Sequence, residues 1–235
     1  MWRRFALRVS RSIILPQSRE VITMENKEHV WHREVIGQQV ERTLRDLREC
    51  GVLDRCYLAG GTGLALHLGH RRSQDLDFMS PEPVAPDALI QKLQKLAGFG
   101  LESQAPNTLH ATIRRIKVSF LAYPYPLLFS FMIFLGVKVA DPRDIACMKL
   151  SAIASRGTKR DFVDLYVVSK QYDVSQVLEW FKQKYAQVNQ NVMHVLKSLA
   201  YFEDAEKDPM PDMLEPLSWG EVKRFFLAET SRLSL

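Results

Sequence analysis

The sequence predicts an α+β fold, in which a mixed sheet with helices is followed by a C-terminal helical bundle. Short apolar segments with β-branched residues recur between residues 56 and 139, separated by glycine and proline. From residue 141 onward, apolar residues recur at helical spacing instead. The composition, 46% hydrophobic and 25% charged over 235 residues, is that of a globular protein and excludes disordered and collagen-like classes.

The first half is predicted to combine helices and strands. Apolar residues recur every three to five positions up to Gly51, which is typical of an amphipathic helix with a glycine at its end. Ile116, Val118 and Phe120 fall on one face of a strand. In chain order, we expect a helix over 27–51, a strand over 56–59, a helix over 64–68, a strand over 75–79, a helix over 86–96, one or two strands over 109–121 and a strand over 137–139.

The second half is predicted to be helical. Asp141 and Pro142 are typical of a helix start, with a capping carboxylate followed by proline at the first helical position. We expect helices over 142–155, 159–170, 174–187, 190–202 and 218–229, with a solvated acidic linker over 203–209. The predicted domains are a basic arm (1–23), an α/β core (24–140) and a helical domain (141–235).

The positive charge of the chain is concentrated at its N-terminus. The formal net charge is +5, and residues 1–23 carry five arginines and one glutamate, so the remainder is nearly neutral. The arm is Arg-rich and poor in acids, as transit peptides are, yet Met24 reads equally as a translation start. We interpret residues 1–23 as a start-site extension or a disordered tail.

The cysteine content and the length of the apolar runs indicate where in the cell the protein is expected. Three cysteines without C-x-x-C spacing favour a reducing compartment and argue against a structural zinc site. The longest apolar run, residues 127–137, is well short of the ~20 residues that span a bilayer. We therefore expect a cytoplasmic protein with no membrane span.

Two glycines and two aspartates form the candidate chemical site. Gly60 and Gly61 lie where a strand turns into a helix, so that backbone N–H groups and the helix dipole can hold a phosphate, and Thr62 can add a hydroxyl. Asp75 and Asp77 point to the same face of a strand and suit Mg²⁺ or Mn²⁺. Either feature alone is more often a plain turn or an exposed strand face. Together they form what phosphoryl transfer requires.

Four segments carry a specific family resemblance. Residues 58–71 (LAGGTGLALHLGHR) and 75–78 (DLDF) are similar to the first signature of the AbiEii/AbiGii toxin family of nucleotidyltransferases. Residues 144–150 (DIACMKL) and 156–166 (RGTKRDFVDLY) resemble the family's second half. The resemblance covers most of residues 27–230 and implies a DNA polymerase β-like nucleotidyltransferase fold.

The resemblance also implies an activity. It implies transfer of a nucleoside monophosphate from an NTP to an acceptor hydroxyl, at the 3′ end of RNA or tRNA or on a protein, by a toxin with a cognate antitoxin. Mg²⁺ or Mn²⁺ would be the cofactor. The residues that match by position are Gly60, Gly61, Thr62 and Lys149 for the triphosphate, Asp75 and Asp77 for the metal, and Asp75, Asp77, Lys149 and Asp161 for catalysis.

One position departs from the polymerase β-like pattern. Such catalysts use a third carboxylate on a neighbouring strand to deprotonate the attacking hydroxyl, but the strand over 115–121 offers Lys117 and Ser119 and no acid. Either Asp161 or Glu102 supplies the base, or solvent takes the proton, or turnover is slow or absent. The alternative function is therefore a catalytically degenerate module that binds a nucleotide or a partner.

Several candidate residues also have plain structural interpretations. Lys149 lies on an apolar helix, where a lysine can simply extend its charge to solvent. His67 and His70 are equally well explained as charges near a helix C-terminus, and neither is assigned to catalysis. Several basic residues are nevertheless expected to converge on the cleft, out of Arg71, Arg72, Arg114, Arg115, Lys117, Lys149, Arg156, Lys159 and Arg160.

Overall fold

A computed structural model describes residues 29–188 and 191–233, so the arm predicted over 1–23 lies outside the described residues. Strands within the described part are β1 (Tyr57–Leu58), β2 (Leu76–Ser80), β3 (Phe99–Ala105), β4 (Thr108–Ile113), β5 (Ile116–Ala122), β6 (Met132–Phe134) and β7 (Val137–Val139). They form one sheet in the order β3-β4-β5-β2-β1-β7-β6. β1 pairs antiparallel with β2 and parallel with β7, while β2 pairs parallel with β5.

Helices flank the sheet and then make up the second half of the chain. They are α1 (Gln38–Glu49), α2 (Gly60–Leu68), α3 (Pro86–Leu93), α4 (Pro142–Ser155), α5 (Lys159–Val168), α6 (Val174–Lys184), α7 (Val192–Ser198), α8 (Glu203–Glu206) and α9 (Trp219–Leu233). The predicted α+β class, a mixed sheet followed by helices, is confirmed. The predicted domain boundaries stay a prediction.

Two hydrophobic clusters determine which face of the sheet is polar. In β2 and β5 the apolar residues alternate with polar ones, and rings such as Phe78 and Phe120 are buried beneath α1. A second cluster joins the helices of the second half. α2 contributes Leu66 to the first cluster and Leu64 to the second. Asp77 and Ser119 alternate with the buried rings, so they lie on the opposite face of the sheet from α1.

The N-terminal helix is shorter than predicted. The apolar pattern predicted a helix from residue 27, whereas α1 begins at Gln38 after a short 3-10 helix over Arg33–Val35. The preceding segment instead crosses α2, because the His32 N–H donates to the Leu66 carbonyl and the Ser73 N–H donates to the Val35 carbonyl. These tertiary hydrogen bonds override the local periodicity.

The strands β3 and β6 and the helix α8 were not predicted. β3 is an edge strand whose residues are largely exposed on both faces, so it lacks apolar alternation. β6 spans three residues, too few for a pattern. The prediction of an acidic linker over 203–209 was wrong in part, because α8 occupies Glu203–Glu206 and buries Ala205.

All three cysteines lie within the described residues. Cys50, Cys56 and Cys147 are free thiols, and the last two are buried. Within the described residues no helix has the length and apolar character needed to cross a membrane.

A buried histidine, His67, lies in the last turn of α2. His67 Nε2 donates to the Ala140 carbonyl at 2.9 Å, and His67 Nδ1 lies 3.0 Å from His29 Nε2. The Trp31 ring packs against His67 with centroids 4.7 Å apart. Burial, and then the neighbouring His29, lowers the pKa of His67 to about 4. The interpretation of His67 as a helix-terminal charge was therefore wrong.

Acidification should destabilise the protein through His67. The pKa falls from 6.5 to about 4 on folding, so between these values the unfolded chain binds a proton that the folded chain lacks. The free energy of unfolding then falls as the pH decreases, by about 3 kcal/mol between pH 7 and pH 4. Denaturant titrations at both pH values measure this loss. His67→Gln should lack that part of the pH dependence, and an unchanged dependence would contradict the assignment.

Candidate active site

A cleft of about 300 Å³ lies between the polar face of the sheet and helices α4 and α5. Its lining residues are Gly61, Thr62, Arg71, Ser73, Asp75, Asp77, His110, Ser119, Lys149, Arg156, Thr158, Arg160 and Asp161. Six of the seven residues predicted for the site are therefore in the lining. The seventh, Gly60, adjoins Asp77 at the start of α2.

The start of α2 is built to fit against Asp77. The Ala59 N–H donates to the Asp77 carbonyl at 2.9 Å, which aligns β1 with β2. Gly60 has φ +62°, and a Cβ there would lie 2.6 Å from Asp77 Oδ2. Only glycine avoids both the backbone strain and the overlap. The N–H groups of the first helical turn have no partner within the helix, so they and the helix dipole favour an anion.

Gly61 lies against the guanidinium of Arg71, and a Cβ on Gly61 would overlap Arg71 Nη2. Arg71 is buried and donates to Asp164 twice, from Nε to Oδ1 at 2.6 Å and from Nη2 to Oδ2 at 2.9 Å. Because this bidentate pair fixes Arg71, the guanidinium cannot retreat from a larger residue 61.

Gly61→Ala should weaken nucleotide binding. The added methyl must displace Arg71 or the start of α2, at a cost of about 1–3 kcal/mol. We expect NTP affinity to fall about tenfold or more, measured by calorimetric titration. Gly220→Ala is the matched control, since the nearest atom to its Cβ would be Arg224 Nη1 at 3.5 Å. Equal NTP affinity in the two variants would contradict this account of the glycine.

Thr62 supports the loop before β2. Its side chain is buried, its hydroxyl lies 2.7 Å from Ser73 Oγ, and it donates to the Asp75 carbonyl. The hydroxyl is therefore engaged with the protein, and the Thr62 backbone N–H is the group left for a phosphate. The predicted nucleotide-binding role of Thr62 stays a prediction.

The two aspartates differ in their surroundings. Asp75 is half-exposed, at 48%, and lies 3.7 Å from Arg160 Nη1. Asp77 is more enclosed, and burial raises its pKa. The adjacent Ser119 hydroxyl counteracts that rise, while the nearby charge of Asp75 adds to it. A nearby cation would offset both the cost of burying the Asp77 charge and its repulsion from Asp75.

The donor set determines whether a divalent metal fits. In the described part of the chain, no three His, Cys, Asp or Glu side chains form a ready metal cluster. Mg²⁺ nevertheless keeps several waters and is commonly held by one or two carboxylates together with substrate phosphates. Asp75 and Asp77 beside the start of α2 fit that mode of binding. The Mg²⁺ or Mn²⁺ site stays a prediction.

Lys149 lies in a buried ion-pair network. Its Nζ is 2.9 Å from Asp161 Oδ1 and 2.6 Å from Asp164 Oδ2. Arg71 and His70 also contact Asp164, which is fully buried. Burial alone would lower the pKa of Lys149, but Asp164 and Asp161 hold it above its usual value. Lys149 is therefore a fixed positive charge at the cleft rather than a flexible packing residue.

Asp161 uses both carboxylate oxygens. Oδ1 accepts from Lys149, and Oδ2 accepts from Thr158 Oγ1 at 2.6 Å and from Arg156 Nε at 3.3 Å. Burial alone would raise the pKa of Asp161, but Lys149 and then Arg156 hold it below its usual value. A carboxylate in this state is a weak base. Its catalytic role stays a prediction, and the geometry favours positioning of Lys149.

Residues 42–232 match the family described as "Nucleotidyl transferase AbiEii toxin, Type IV TA system". The match spans most of the chain and includes every residue of the cleft. The chain belongs to the AbiEii nucleotidyl transferase toxin family. The family and enzyme class predicted from the sequence, a nucleotidyltransferase, are thereby confirmed.

Other proteins are similar in sequence or in structure to this AbiEii-family chain. An uncharacterized protein of Aquifex aeolicus, aq_aa25, is 37% identical over 197 residues, covering 81% of this chain and 94% of that protein. MenT4, a nucleotidyltransferase toxin of Mycobacterium tuberculosis, is 17% identical with a TM-score of 0.53, covering 82% of this chain and 83% of MenT4. JHP933 of Helicobacter pylori is 16% identical with a TM-score of 0.40, covering 85% and 96%. The similarity to MenT4 shows the shared fold.

Only some of the expected basic residues reach the AbiEii cleft. Arg71, Lys149, Arg156 and Arg160 line it. Others are engaged elsewhere: Arg72 pairs with Asp212 and Arg114 with Asp46, while the Lys159 ammonium donates to the Asp208 backbone carbonyl. The cleft is thus bordered by selected cations rather than by a continuous basic surface.

His110 and Ser73 both line the cleft and both escaped the sequence analysis. His110 on β4 lines the cleft, and its Nδ1 lies 3.0 Å from Ser119 Oγ. Alternation in β4 puts His110 on the face opposite Leu109 and Ala111. That alternation is the signal in the sequence, but locating His110 at the cleft also requires the pairing of β4 with β5.

Proposed function

We propose that this AbiEii-family protein is a metal-dependent toxin that moves a nucleoside monophosphate from an NTP to an acceptor hydroxyl. The observation that carries the proposal is that Asp75 and Asp77 adjoin the glycine start of α2 within one cleft. A triphosphate bound there would meet backbone N–H groups and two metal-binding carboxylates together. The proposed location of action is the cytoplasm.

The triphosphate would be held from two sides. The N–H groups of Gly61 and Thr62 face it from α2. Arg156 and Arg160 face it from the helical half, with side chains 66% and 59% exposed. Charge-assisted hydrogen bonds from guanidinium groups to phosphate are strong and directional. These groups orient the triphosphate and offset its negative charge.

Asp75 and Asp77 would hold Mg²⁺ or Mn²⁺, which when bound polarises the phosphoryl oxygens and neutralises developing charge. Lys149 adds a second, permanent positive charge. An ammonium has three N–H donors, and Asp161 and Asp164 each accept one. The third remains for a phosphate oxygen in the transition state.

The neighbouring surface supports an RNA 3′ end as the acceptor, including that of tRNA. A second cavity of about 370 Å³ shares Arg156 with the cleft. Its lining includes Lys197, His194, Asp204 and Tyr201, and Tyr201 is 55% exposed. Cationic side chains beside an accessible aromatic ring are a common way for proteins to bind single-stranded RNA. A protein acceptor is the other outcome that an assay must distinguish.

The test compares NTPs labelled at the α or the γ phosphate. Each is incubated with the protein, Mg²⁺ or Mn²⁺, and tRNA, RNA depleted of tRNA, or denatured protein as acceptor. We expect α label on RNA and γ label in released pyrophosphate, with loss of both in a chelator. Transfer of the γ label would indicate a kinase instead. NTP binding without product in any arm would favour the degenerate binding module.

The toxin proposal predicts a cognate antitoxin. Family membership supports it, because the family is described as the toxin of a type IV toxin–antitoxin system. Expression of the wild-type chain should arrest growth, and co-expression of the neighbouring reading frame should restore it. Growth arrest by a variant without transferase activity would separate toxicity from nucleotide transfer.

A further inference from the structure

Three polar side chains form a row across neighbouring strands. Asp77 on β2 is in register with Ser119 on β5, and Ser119 is in register with His110 on β4. Side chains at paired positions share a face of the sheet, and all three line the cleft. The row lies on the polar face, where an acceptor hydroxyl must approach the metal-binding aspartates.

The hydrogen bond between His110 and Ser119 determines which nitrogen of the His110 ring can accept a proton. Nδ1 lies 3.0 Å from Ser119 Oγ, and the Ser119 hydroxyl adjoins the Asp77 carboxylate. If the hydroxyl proton turns toward the carboxylate, Ser119 Oγ accepts from His110 Nδ1–H. Nε2 then carries the lone pair. Across residues 29–188 and 191–233, Nε2 makes no hydrogen bond.

The carboxylates considered as bases are poorly placed. Asp161 is occupied by Lys149, Thr158 and Arg156. Glu102 is exposed on edge strand β3, at the irregularity between Leu101 and Ser103, and does not line the cleft. His110, by contrast, is half-buried within the lining.

We propose that His110 is the general base of this enzyme, taking the role of the missing third carboxylate. The proposal rests on the proposed nucleotide transfer. As the acceptor oxygen bonds to the α-phosphorus, the bond from that phosphorus to the β-phosphate bridging oxygen breaks and pyrophosphate leaves. The hydroxyl proton passes to His110 Nε2, while Ser119 positions the ring through Nδ1.

The charged groups that face His110 lie beside it on the sheet and across the cleft. Asp75 and Asp77 face it from the side of β2, and its partner on β3 is the uncharged Ser103. The other charged residues of the cleft are Arg71, Lys149, Arg156, Arg160 and Asp161. Among these groups, Asp77 is the acid that strand register places in the same row as His110, with Ser119 between them.

An isosteric pair of variants tests the base. His110→Gln removes a proton acceptor, whereas His110→Glu supplies a carboxylate of the same length. We expect kcat to fall about 100-fold in His110→Gln, with little change in KM for NTP. His110→Glu should be at least about tenfold faster than His110→Gln, because a carboxylate can take the proton. Thr112→Val, on the same face of β4, is the control and should stay close to wild type.

The readouts separate this inference from the proposed function. Product formation by the wild-type protein tests whether it is a transferase. Calorimetry then measures the NTP affinity of each variant. His110→Gln as fast as His110→Glu would overturn the base assignment while leaving transfer intact. A matching loss of NTP affinity in both variants would also overturn it, because His110 would then be a nucleotide-binding residue.

Discussion

Asp77→Asn is expected to abolish nucleotide transfer without unfolding the protein. An amide is a much weaker ligand for Mg²⁺ or Mn²⁺ than a carboxylate, so the cation would no longer be held beside the triphosphate. We expect kcat/KM to fall by about 1,000-fold, which corresponds to about 4 kcal/mol of transition-state stabilisation. Steady-state kinetics with the labelled NTP measure the loss.

Asp77→Asn should fold as stably as the wild-type protein, so a loss of activity would report on the site and not on unfolding. Burial raises the pKa of Asp77, which means that its negative charge is disfavoured in the free protein. A neutral asparagine should therefore leave the free energy of unfolding unchanged or slightly higher. Asp87→Asn, on α3 away from the cleft, is the matched control and should keep full activity. Activity of Asp77→Asn within tenfold of wild type would contradict the role of the aspartate.

Asp164→Ala is expected to be the most destabilising single change at the cleft. Asp164 is fully buried, and burial alone would raise its pKa, but Lys149 and then Arg71 hold that pKa well below the usual value. Removing the carboxylate leaves both cations buried without this partner. Breaking such a pair from one side costs about 3–5 kcal/mol. Urea denaturation at neutral pH measures the difference.

A neighbouring exposed pair provides the control for Asp164→Ala. Arg72 and Asp212 are 55% and 65% exposed, and their closest N–O distance is 3.2 Å. Asp212→Ala should cost less than about 1 kcal/mol, because exposed ion pairs contribute little. If the two variants lost similar stability, the Lys149–Asp164–Arg71 network would not be a structural support of the site.

The sequence predicted those parts of the site that follow from local geometry. Asp75 and Asp77 share a face because side chains alternate along a strand, and Asp161 and Asp164 share one because they are three residues apart on a helix. The two glycines predicted the turn from a strand into a helix, and α2 begins at Gly60. These features needed no knowledge of tertiary pairing.

His110 could not be placed in the same way. Its position depends on the tight turn between β4 and β5, in which Arg114 and Arg115 both have positive φ, at +52° and +68°. Turns of this type are normally signalled by Asn-Gly or Asp-Gly. Two arginines give no such signal. The sequence therefore did not decide whether residues 109–121 form one strand or two, and it left the register of His110 with Ser119 undetermined.

The most direct test of the account is where Mn²⁺ and a nucleotide bind. Crystals of the full chain soaked with Mn²⁺ and an NTP analogue that cannot be cleaved would locate the ion by anomalous scattering. We expect the ion within bonding distance of the Asp75 and Asp77 carboxylates, with the triphosphate at the start of α2. An ion and nucleotide bound elsewhere, such as the cavity lined by Arg55 and Lys92, would contradict it.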